Sequence, residues 1–265
     1  MVGVSADDPR VPTAEVVSST VPAAVVLPTY NESENVERLI RAIRSAVPDI
    51  FVQVVDDGSP DGTADIAERL AGELGDIDVL RRPGKLGLGS AYREGFARVL
   101  SRGVDTVVSM DVDFSHDPAV IPAMLRAIAD GADAVVGSRY VPGGGTRNWP
   151  LHRRVLSKWG NLYTGAILGV GVRDCTSGFR AYRSTALTAI APETTRAEGY
   201  AFLTELVVRL SRRGLRIVEV PIMFSDREYG TSKMSGRIIA ESMLLVTRWG
   251  VAHRVRQLGG LLRRR

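Results

Sequence analysis

The sequence is poor in cysteine and histidine. Its 265 residues include one cysteine, Cys175, and three histidines. A single cysteine excludes an internal disulfide, and this sparing use fits a protein of the reducing cytoplasm. His116 has no second histidine close to it in the sequence, which leaves little support for a zinc site. We interpret His116 as a hydrogen-bond partner within a loop.

The sequence also lacks a long hydrophobic run. The longest apolar segment, residues 162–172, is interrupted by glycines and is shorter than the roughly 20 residues that a membrane-spanning helix needs. The first twenty residues have no basic start followed by an apolar core, which is the pattern of a signal peptide. We therefore expect neither a membrane span nor a signal peptide.

Two common nucleotide-binding motifs are absent. The segment "KLGLGSAYREG" supplies Gly87 and Gly89, but the third glycine position of a dinucleotide-binding loop is occupied by Tyr92. Residues 169–174 lack that glycine as well, and no P-loop pattern is present. These absences argue against an NAD site or an ATP site of the usual kinds.

Positive charge is concentrated at one end of the chain. The formal net charge is +4, and residues 253–265 contain five arginines and no acid. A basic end is typical of proteins with an anionic partner, such as membrane lipid, nucleic acid or a phosphorylated substrate. We predict an amphipathic helix and a basic tail over residues 237–265. Residues 1–22, rich in Pro, Ser, Thr and Asp, are predicted to be a disordered tail.

Between these tails, short apolar runs alternate with segments of helical periodicity. Strands are predicted at 23–28, 51–57, 77–82, 104–110 and 132–140, with helices between them. This alternation predicts an α/β fold, with a Rossmann-like, mostly parallel sheet covered by helices on both faces. Beyond Tyr140 we predict a flexible loop over 141–150, a helix over 151–169, a helix over 198–214 and a strand over 215–222. One domain is expected over residues 23–236.

Polar segments follow the predicted strands. The segments "PTYNE", "DDGSPDG", "DVDFSHDP" and "GSRY" each come after an apolar run. In a parallel sheet the carboxyl ends of the strands meet at one edge, where ligands bind. We therefore expect these four segments to form one site.

The segment "DVDFSHDP" is the most acidic of the four. If Asp111 and Asp113 continue the strand, they point the same way and favour a divalent cation such as Mg²⁺ or Mn²⁺. The alternative is a turn that caps the next helix. We favour the metal for Asp111 and Asp113, and the cap for Asp117, which precedes Pro118. In "DDGSPDG", Asp57 is a candidate for binding a nucleobase or ribose.

Eight motifs occur in an order that resembles a known family. They are "PTYNE", "DDGSPDGT", "KLGLGSAY", "DVDFSHDP", "GSRY", "DCTSGFRAY", "EGYAF" and "DREYGTSK". Together they resemble the inverting nucleotide-sugar glycosyltransferases of family 2 with a GT-A fold, and in particular the dolichol-phosphate or polyprenol-phosphate mannose synthases. The resemblance covers residues 24–235. It implies transfer of mannose from GDP-mannose to a polyprenyl monophosphate, with Mg²⁺ or Mn²⁺ as cofactor.

The resemblance also implies a role for particular residues. The nucleotide sugar would be bound by residues of the first two polar segments and by the acidic segment, namely Pro28, Tyr30, Glu32, Val55, Asp57, Asp111, Val112 and Asp113. Asp111, Asp113 and Ser115 would hold the metal, although many relatives have Gln at the position of Ser115. Cations would face phosphates at Arg139, Arg153, Arg227 and Lys233. Arg139 and Arg153 would meet the acceptor phosphate and, with Asp113, form the catalytic set.

Other interpretations remain open at this point. A polyprenyl-phosphate transferase for another sugar, such as glucose from UDP-glucose, is the nearest alternative. A noncatalytic nucleotide-binding or membrane-scaffold protein would keep the basic tail without needing the carboxylates. Arg153, Arg154 and Lys158 also fit an ordinary solvated helix face. The lipid acceptor implies a peripheral location at the inner face of the cell membrane. A separate membrane-anchoring protein is one way to hold the chain there, and no nucleic-acid partner is expected.

Overall fold

The computed structural model describes residues 22–225 and 243–251. Their central feature is a seven-stranded sheet in the order β3-β2-β1-β4-β7-β5-β8. The strands of this sheet are β1 (Ala23–Thr29), β2 (Phe51–Asp56), β3 (Ile77–Arg81), β4 (Thr106–Ser109), β5 (Ala134–Ser138), β7 (Arg180–Arg183) and β8 (Ile217–Pro221). The α/β fold expected from the alternating pattern is confirmed.

Helices separate the strands. They are α1 (Val36–Ala46), α2 (Thr63–Leu74), α3 (Leu88–Ser101), α4 (Ile121–Ala129), α5 (Leu151–Leu168), α6 (Ser184–Ala189) and α7 (Gly199–Arg212), with short 3₁₀ turns at Pro118–Val120 and Pro192–Thr194. Asp117 accepts a hydrogen bond from the backbone N–H of Ala119 at 2.9 Å. Its predicted role as a helix cap is therefore confirmed.

One strand of the sheet runs against the others. β7 pairs antiparallel with both β4 and β5, whereas the remaining pairs in the sheet are parallel. An antiparallel strand begins at the edge where its parallel neighbours end. The loop that precedes β7 therefore enters the same edge as the loops that follow β4 and β5.

Both faces of the sheet are covered by apolar side chains. One cluster joins the sheet to α1, α2 and α4 and includes Leu39, Ile43 and Met124. The opposite cluster joins it to α3, α6 and α7 and includes Phe96 and Leu206. Burial on both faces explains why the strands read as continuous apolar runs.

The segment predicted as a flexible loop contains a strand. β6 (Gly145–Arg147) pairs in parallel with β9 (Met223–Ser225) and forms a separate two-stranded sheet. The prediction of a structureless loop over 141–150 was wrong. Each strand has only three residues, which is too few to give a periodic signal.

The end of the described chain is helical. Residues 243–251 form a helix, and Tyr163 of α5 and Thr247 share a hydrogen bond of 2.7 Å between their hydroxyls. The rest of the predicted amphipathic end, like the tail over residues 1–21, lies outside the described residues. None of the helices in the described part of the chain combines the length and apolar character required to cross a bilayer.

The contact of α3 with the sheet predicts opposite effects for two glycine substitutions. A Cβ at Gly95 would overlap Val26 Cγ1 and lie 3.1 Å from Val55 Cγ2, whereas a Cβ at Gly72 on α2 meets nothing within 4 Å. Gly95→Ala should reduce the free energy of unfolding by about 1–3 kcal/mol through overpacking. Gly72→Ala should increase it by about 0.4–1 kcal/mol. Urea denaturation of both variants checks this, and equal effects would contradict the tight contact.

Candidate active site

The first two polar loops are fastened to each other at the sheet edge. After β1, the backbone N–H groups of Asn31 and Glu32 donate to Ser59 Oγ and Thr63 Oγ1, both at 2.9 Å. Asn31 adopts a left-handed conformation with φ 58°, which asparagine tolerates better than most residues. These hydrogen bonds hold the backbone of the loop in one conformation and so position its side chains.

Asp56, which ends β2, and Asp57, which follows it, both bind to other parts of the protein. Asp56 accepts hydrogen bonds from Thr29 Oγ1 and from the Ser59 N–H, both at 2.8 Å. Asp57 Oδ1 accepts from Arg82 Nη1 at 2.6 Å. The pair of Asp57 and Arg82 is almost fully buried. Asp56 is thus a turn residue, and Asp57 is held by a partner 25 positions away.

Asp57 also holds the glycine-rich loop. Its Oδ2 accepts from the backbone N–H groups of Leu86 and Gly87 at 3.2 and 3.1 Å. That loop places Lys85 with its Nζ 4.3 Å from the centre of the Tyr30 ring. The two predicted nucleoside residues Asp57 and Tyr30 are therefore connected through one loop, although contact with a nucleoside stays a prediction.

The other residues predicted for the nucleoside differ in exposure. Pro28 and Glu32 are half-buried at the sheet edge, and Glu32 accepts a hydrogen bond from Asn35 Nδ2 at 3.1 Å. Val55, in contrast, is 0% exposed and lies in the core between the sheet and α3. Its side chain packs in the core, so the predicted nucleotide contact would have to be made by its backbone and stays a prediction. Val112 is similarly buried in the core on the other side.

The acidic segment leaves the sheet before its carboxylates. β4 ends at Ser109, so the alternation of a strand does not orient Asp111 and Asp113, and that part of the prediction was wrong. Asp111 Oδ1 accepts from the Tyr92 hydroxyl at 3.5 Å. A Cβ at Gly178 would approach Asp111 Oδ2 to 3.2 Å. The loop before β7 therefore lies directly against the first carboxylate.

A tight turn shapes the rest of the segment. Phe114 has φ 55°, a conformation that is costly for a bulky residue. The turn is closed by Asp113 Oδ1, which accepts hydrogen bonds from the Ser115 N–H at 3.1 Å and from Ser115 Oγ. Strain of this kind clusters at functional sites. The turn brings the buried carboxylate of Asp113 and the hydroxyl of Ser115 together.

His116 packs between aromatic rings. Its ring centre lies 5.2 Å from those of both Phe179 and Phe224, and its Nδ1 makes no hydrogen bond with the described residues. The interpretation of His116 as a loop hydrogen-bond partner finds no support at this atom. Burial lowers the pKa of His116 to about 4, although the charge of Asp113 opposes that effect. The imidazole is consequently neutral at physiological pH.

The donors of the acidic segment suit a hard divalent cation. Asp111, Asp113 and Ser115 supply only oxygen, which is what Mg²⁺ and Mn²⁺ prefer. Within the described ranges, no three His, Cys, Asp or Glu side chains converge into a complete metal-binding group. A cation held partly by substrate phosphates needs only one or two protein carboxylates, and these residues fit that requirement.

Arg139, at the end of β5, is held by a buried carboxylate. Its Nε and Nη2 donate to the two oxygens of Asp174, both at 2.7 Å. Asp174 is 0% exposed, Arg139 is 8% exposed, and the guanidinium also lies 5.3 Å from the ring centres of Tyr140 and Phe224. This bidentate pair fixes the guanidinium in one orientation.

The ion pair controls the charge of Asp174. Burial on its own raises the pKa of this carboxyl, but the charge and hydrogen bonds of Arg139 outweigh burial and lower the pKa below its ordinary value. Asp174 is therefore ionised at neutral pH. Sequence reasoning did not single it out, because Asp174 lies 35 positions from Arg139 and no local pattern joins the two residues.

A basic cavity of about 310 Å³ opens beside Arg139. Its lining contains three cations and no acid, and consists of Arg139, Tyr140, Gly145, Thr146, Arg154, Lys158 and Met223. The predicted acceptor residue Arg153 is not part of this lining. Its guanidinium lies 4.6 Å from the ring centre of Trp149. The cations that meet here are thus Arg139, Arg154 and Lys158, while the predicted Arg227 and Lys233 lie outside the described residues.

Glu198 has a structural role that the sequence did not reveal. Its Oε2 accepts from the backbone N–H groups of Gly89 and Ser90 at 3.0 and 3.3 Å, in the first turn of α3. Its other oxygen pairs with Arg93. The carboxylate therefore caps α3 from a distance of more than a hundred residues and supports the glycine-rich loop.

The sheet order and the loops gathered at one edge define a GT-A-like α/β fold. The chain belongs to glycosyl transferase family 2, whose family model matches residues 24–190. It is 46% identical over 242 residues to the polyprenol monophosphomannose synthase of Mycolicibacterium smegmatis, covering 90% of this chain and 91% of that protein. It is 48% identical over 229 residues to the undecaprenyl-phosphate mannosyltransferase of Micrococcus luteus, covering 86% and 94%.

Solved structures of lower identity share the fold. Glucosyl-3-phosphoglycerate synthase from Mycobacterium tuberculosis, in complex with Mn²⁺ and UDP-glucose, aligns with a TM-score of 0.62. The alignment covers 89% of this chain and 79% of that one, at 22% identity. The complex of the same enzyme with phosphoglyceric acid aligns with a TM-score of 0.63. At this identity the likeness concerns the fold.

The buried ion pair predicts a large and pH-dependent loss of stability in Asp174→Asn. At pH 7 the variant should lose about 3–5 kcal/mol of unfolding free energy, because Arg139 keeps its charge without a buried counter-charge. The pKa of Asp174 is lowered by folding, so its contribution is present above the unfolded pKa of about 3.9 and is lost as the pH falls through the folded value. The wild-type advantage should therefore shrink in acid.

Denaturant titrations between pH 7 and pH 3 measure this difference. Asp65→Asn is the matched control, because its pair with Arg81 joins two exposed side chains and contributes little. An equal loss of stability in both variants would contradict the importance of the buried pair.

Proposed function

We propose that the chain is an inverting mannosyltransferase that moves mannose from GDP-mannose to a polyprenyl monophosphate. The observation that carries the proposal is the close relationship, across nearly the full length, to two proteins named for mannose transfer to polyprenyl phosphates. Family membership supports the reaction class. The basic cavity beside Arg139 supports a phosphorylated acceptor.

The proposed reaction is a single displacement. A phosphate oxygen of the acceptor forms a bond to C1 of mannose, while the bond between C1 and the β-phosphate oxygen of GDP breaks and its electron pair leaves with GDP. The configuration at C1 inverts. A phosphate monoester, with a second pKa of about 6, already carries an ionised oxygen at neutral pH. The acceptor therefore requires no strong general base.

The main electrostatic problem of this reaction is the approach of two anions. The acceptor phosphate and the donor diphosphate repel each other, and cations fixed around them lower that repulsion. Arg139, Arg154 and Lys158 line the cavity and are proposed to hold the acceptor phosphate, with Arg153 next to them on α5. Arg227 and Lys233 are proposed to contact phosphate from the segment after β9.

The donor is proposed to lie across the opposite part of the edge. Tyr30, with Lys85 close to its ring, and Pro28, Glu32 and Asp57 are proposed to form the nucleoside end. Asp111 and Asp113 are proposed to lie at the diphosphate, with the backbone of Val112 between them. With this order along the edge, the sugar is proposed to lie between the acidic segment and the basic cavity.

A divalent cation is proposed at Asp111, Asp113 and Ser115. Bound there, Mg²⁺ or Mn²⁺ would neutralise negative charge on the departing diphosphate. The chain's own contribution is the turn at Phe114, which keeps the Asp113 and Ser115 oxygens together. Tyr92 and Gly178 restrict the position of Asp111 from two sides.

The acceptor determines where the protein works. A polyprenyl phosphate resides in a bilayer, and GDP-mannose is a soluble cytoplasmic donor, so we propose a peripheral location at the inner face of the cell membrane. A separate membrane-anchoring protein is proposed as a partner of the C-terminal segment. No nucleic-acid partner is proposed.

A transfer assay with paired donors tests the proposed function. Purified protein should move mannose from GDP-mannose to a polyprenyl phosphate with a kcat/KM at least about a hundredfold above that for glucose from UDP-glucose. The difference is expected because a pocket that hydrogen-bonds one base leaves its polar groups unpaired with another. Transfer from UDP-glucose alone would overturn the donor assignment, and no transfer from either donor would overturn the proposed function.

Substitution of Asp113 tests the metal role. Asp113→Ala and the isosteric Asp113→Asn should both lower kcat by about 10²–10³-fold, the scale of losing one major electrostatic stabiliser. Asp113→Asn keeps an oxygen that can accept from Ser115, so the turn and the circular dichroism spectrum should be retained. The matched control is Asp117→Asn in the same loop, which should keep wild-type kcat. Wild-type turnover in Asp113→Asn would refute the role of the carboxylate.

A further inference from the structure

One helix beside the basic cavity carries an uncovered apolar face. Leu151, Val155, Trp159 and Leu162 of α5 are 72%, 59%, 49% and 71% exposed. Their spacing of four, four and three residues places them on one side of the helix. Leu156, at 45% exposure, widens this face. We call these five residues the α5 stripe.

The α5 stripe is large for a surface that contacts only water. The 18 residues of α5 correspond to a helix about 27 Å long, and the stripe occupies more than half of that length. Contiguous exposed apolar patches of this kind mark interaction sites in soluble domains. Scattered apolar residues would need no such explanation, but these share one face.

The charges around the stripe specify its partner. α5 contains His152, Arg153, Arg154 and Lys158 and no Asp or Glu. Basic residues next to an exposed apolar face are typical of helices that lie in the interface of an anionic membrane. Trp159 and Tyr163 stack with their ring centres 5.5 Å apart, and these two residue types favour the boundary between lipid and water.

The stripe is also continuous with the cavity. Arg154 follows Leu151 by three positions and Lys158 follows Val155 by three, so both cations stand on the flank of the stripe. The same two cations line the cavity with Arg139. An amphiphile with an anionic head in this cavity would therefore have an apolar helix face directly beside its chain.

A neighbouring helix adds to the same part of the molecule. In the helix over residues 243–251, Leu244 and Val251 are 71% and 56% exposed and lie seven residues apart, two turns along one face. This helix packs tightly on α5, because a Cβ at Gly250 would approach the carbonyl oxygen of Ile167 to 2.7 Å. Both helices therefore present apolar side chains to solvent, and the two helices are in contact.

We propose that the α5 stripe is the surface by which this protein docks on an anionic phospholipid bilayer, with the basic cavity opening at the lipid headgroups. Only the reason for docking rests on the proposed function: it would bring a membrane-embedded acceptor phosphate to Arg154 and Lys158. The docking itself follows from exposure and charge. It assigns membrane contact to a helix within the folded domain, in addition to the basic tail.

Binding to vesicles without any polyprenyl phosphate tests the docking alone. The full chain should float with vesicles of phosphatidylcholine and phosphatidylglycerol, and bind less to vesicles of phosphatidylcholine only. Val155→Asp/Leu162→Asp should weaken binding to the anionic vesicles on the order of tenfold, because each acid would enter an anionic interface. Gly72→Asp/Ala97→Asp adds the same charge at exposed positions of α2 and α3 and should bind as the wild type does.

Two further measurements keep the test decisive. Vesicles should shift the tryptophan emission of Trp249→Phe to shorter wavelength, and Trp159→Phe/Trp249→Phe should lose most of the shift, since the remaining Trp149 is only 9% exposed. This readout does not depend on how well the acidic variant folds. Equal vesicle binding by the acidic pair and its control would overturn the proposal, as would a dimer in light scattering that the acidic pair abolishes.

A transfer assay then separates this proposal from the proposed function. The acidic pair should transfer mannose normally to a short, water-soluble prenyl phosphate, and on the order of tenfold more slowly to a polyprenyl phosphate in vesicles. Equal loss with both acceptors would contradict a docking role. Absence of transfer by the wild type would count against the proposed function and leave the vesicle-binding result standing.

Discussion

The direction of one strand organises this site. Because β7 runs against β4 and β5, the loop over residues 174–179 enters the edge at which the parallel strands end. Arg180, fully buried at the start of β7, secures this loop through hydrogen bonds to the carbonyl oxygens of Cys175 and Ser177 at 2.7 and 2.8 Å. From this loop Asp174 pairs with Arg139, and Gly178 lies so close to Asp111 that an added Cβ would come to 3.2 Å from its Oδ2. A single loop thus connects the acidic segment with the basic cavity.

Charge along the edge is separated by the same construction. Asp57 is compensated by Arg82, and Asp174 is compensated by Arg139, so two of the buried carboxylates contribute little net charge to the site. Asp111 and Asp113 follow β4, the middle strand of the sheet, and Arg154 and Lys158 are exposed cations of the cavity. An acidic middle suits a divalent cation bound with the donor diphosphate, and a basic end suits the phosphate of the acceptor. The sequence alone has acidic residues after several strands. Burial and ion pairing in the fold determine which of these residues are compensated.

Much of this arrangement could be predicted from the sequence. Buried strands appear as apolar runs, and amphipathic helices appear as segments of helical periodicity. These patterns predict the order of elements and the polar edge. The features that escaped prediction depend on contacts between distant residues. The pair Arg139–Asp174, the cap from Glu198 to α3 and the direction of β7 leave no local pattern. The burial of the Val55 side chain escaped prediction for a related reason, because a valine beside an aspartate looks the same in sequence whether its side chain faces a ligand or the core.

The periodicity of α5 links the two proposed activities of the protein. An amphiphile presents two demands, since its phosphate requires cations and its hydrocarbon requires an apolar surface or a bilayer. On a helix of 3.6 residues per turn, positions three apart are neighbours at an angle, so one helix can meet both demands on adjacent sides. In α5, Arg154 and Lys158 face the cavity and the stripe is exposed, while Asn161, Thr164 and Leu168 are buried against the domain. A helix that belongs to the folded domain, docked as proposed, would fix the distance between the membrane surface and the sheet edge.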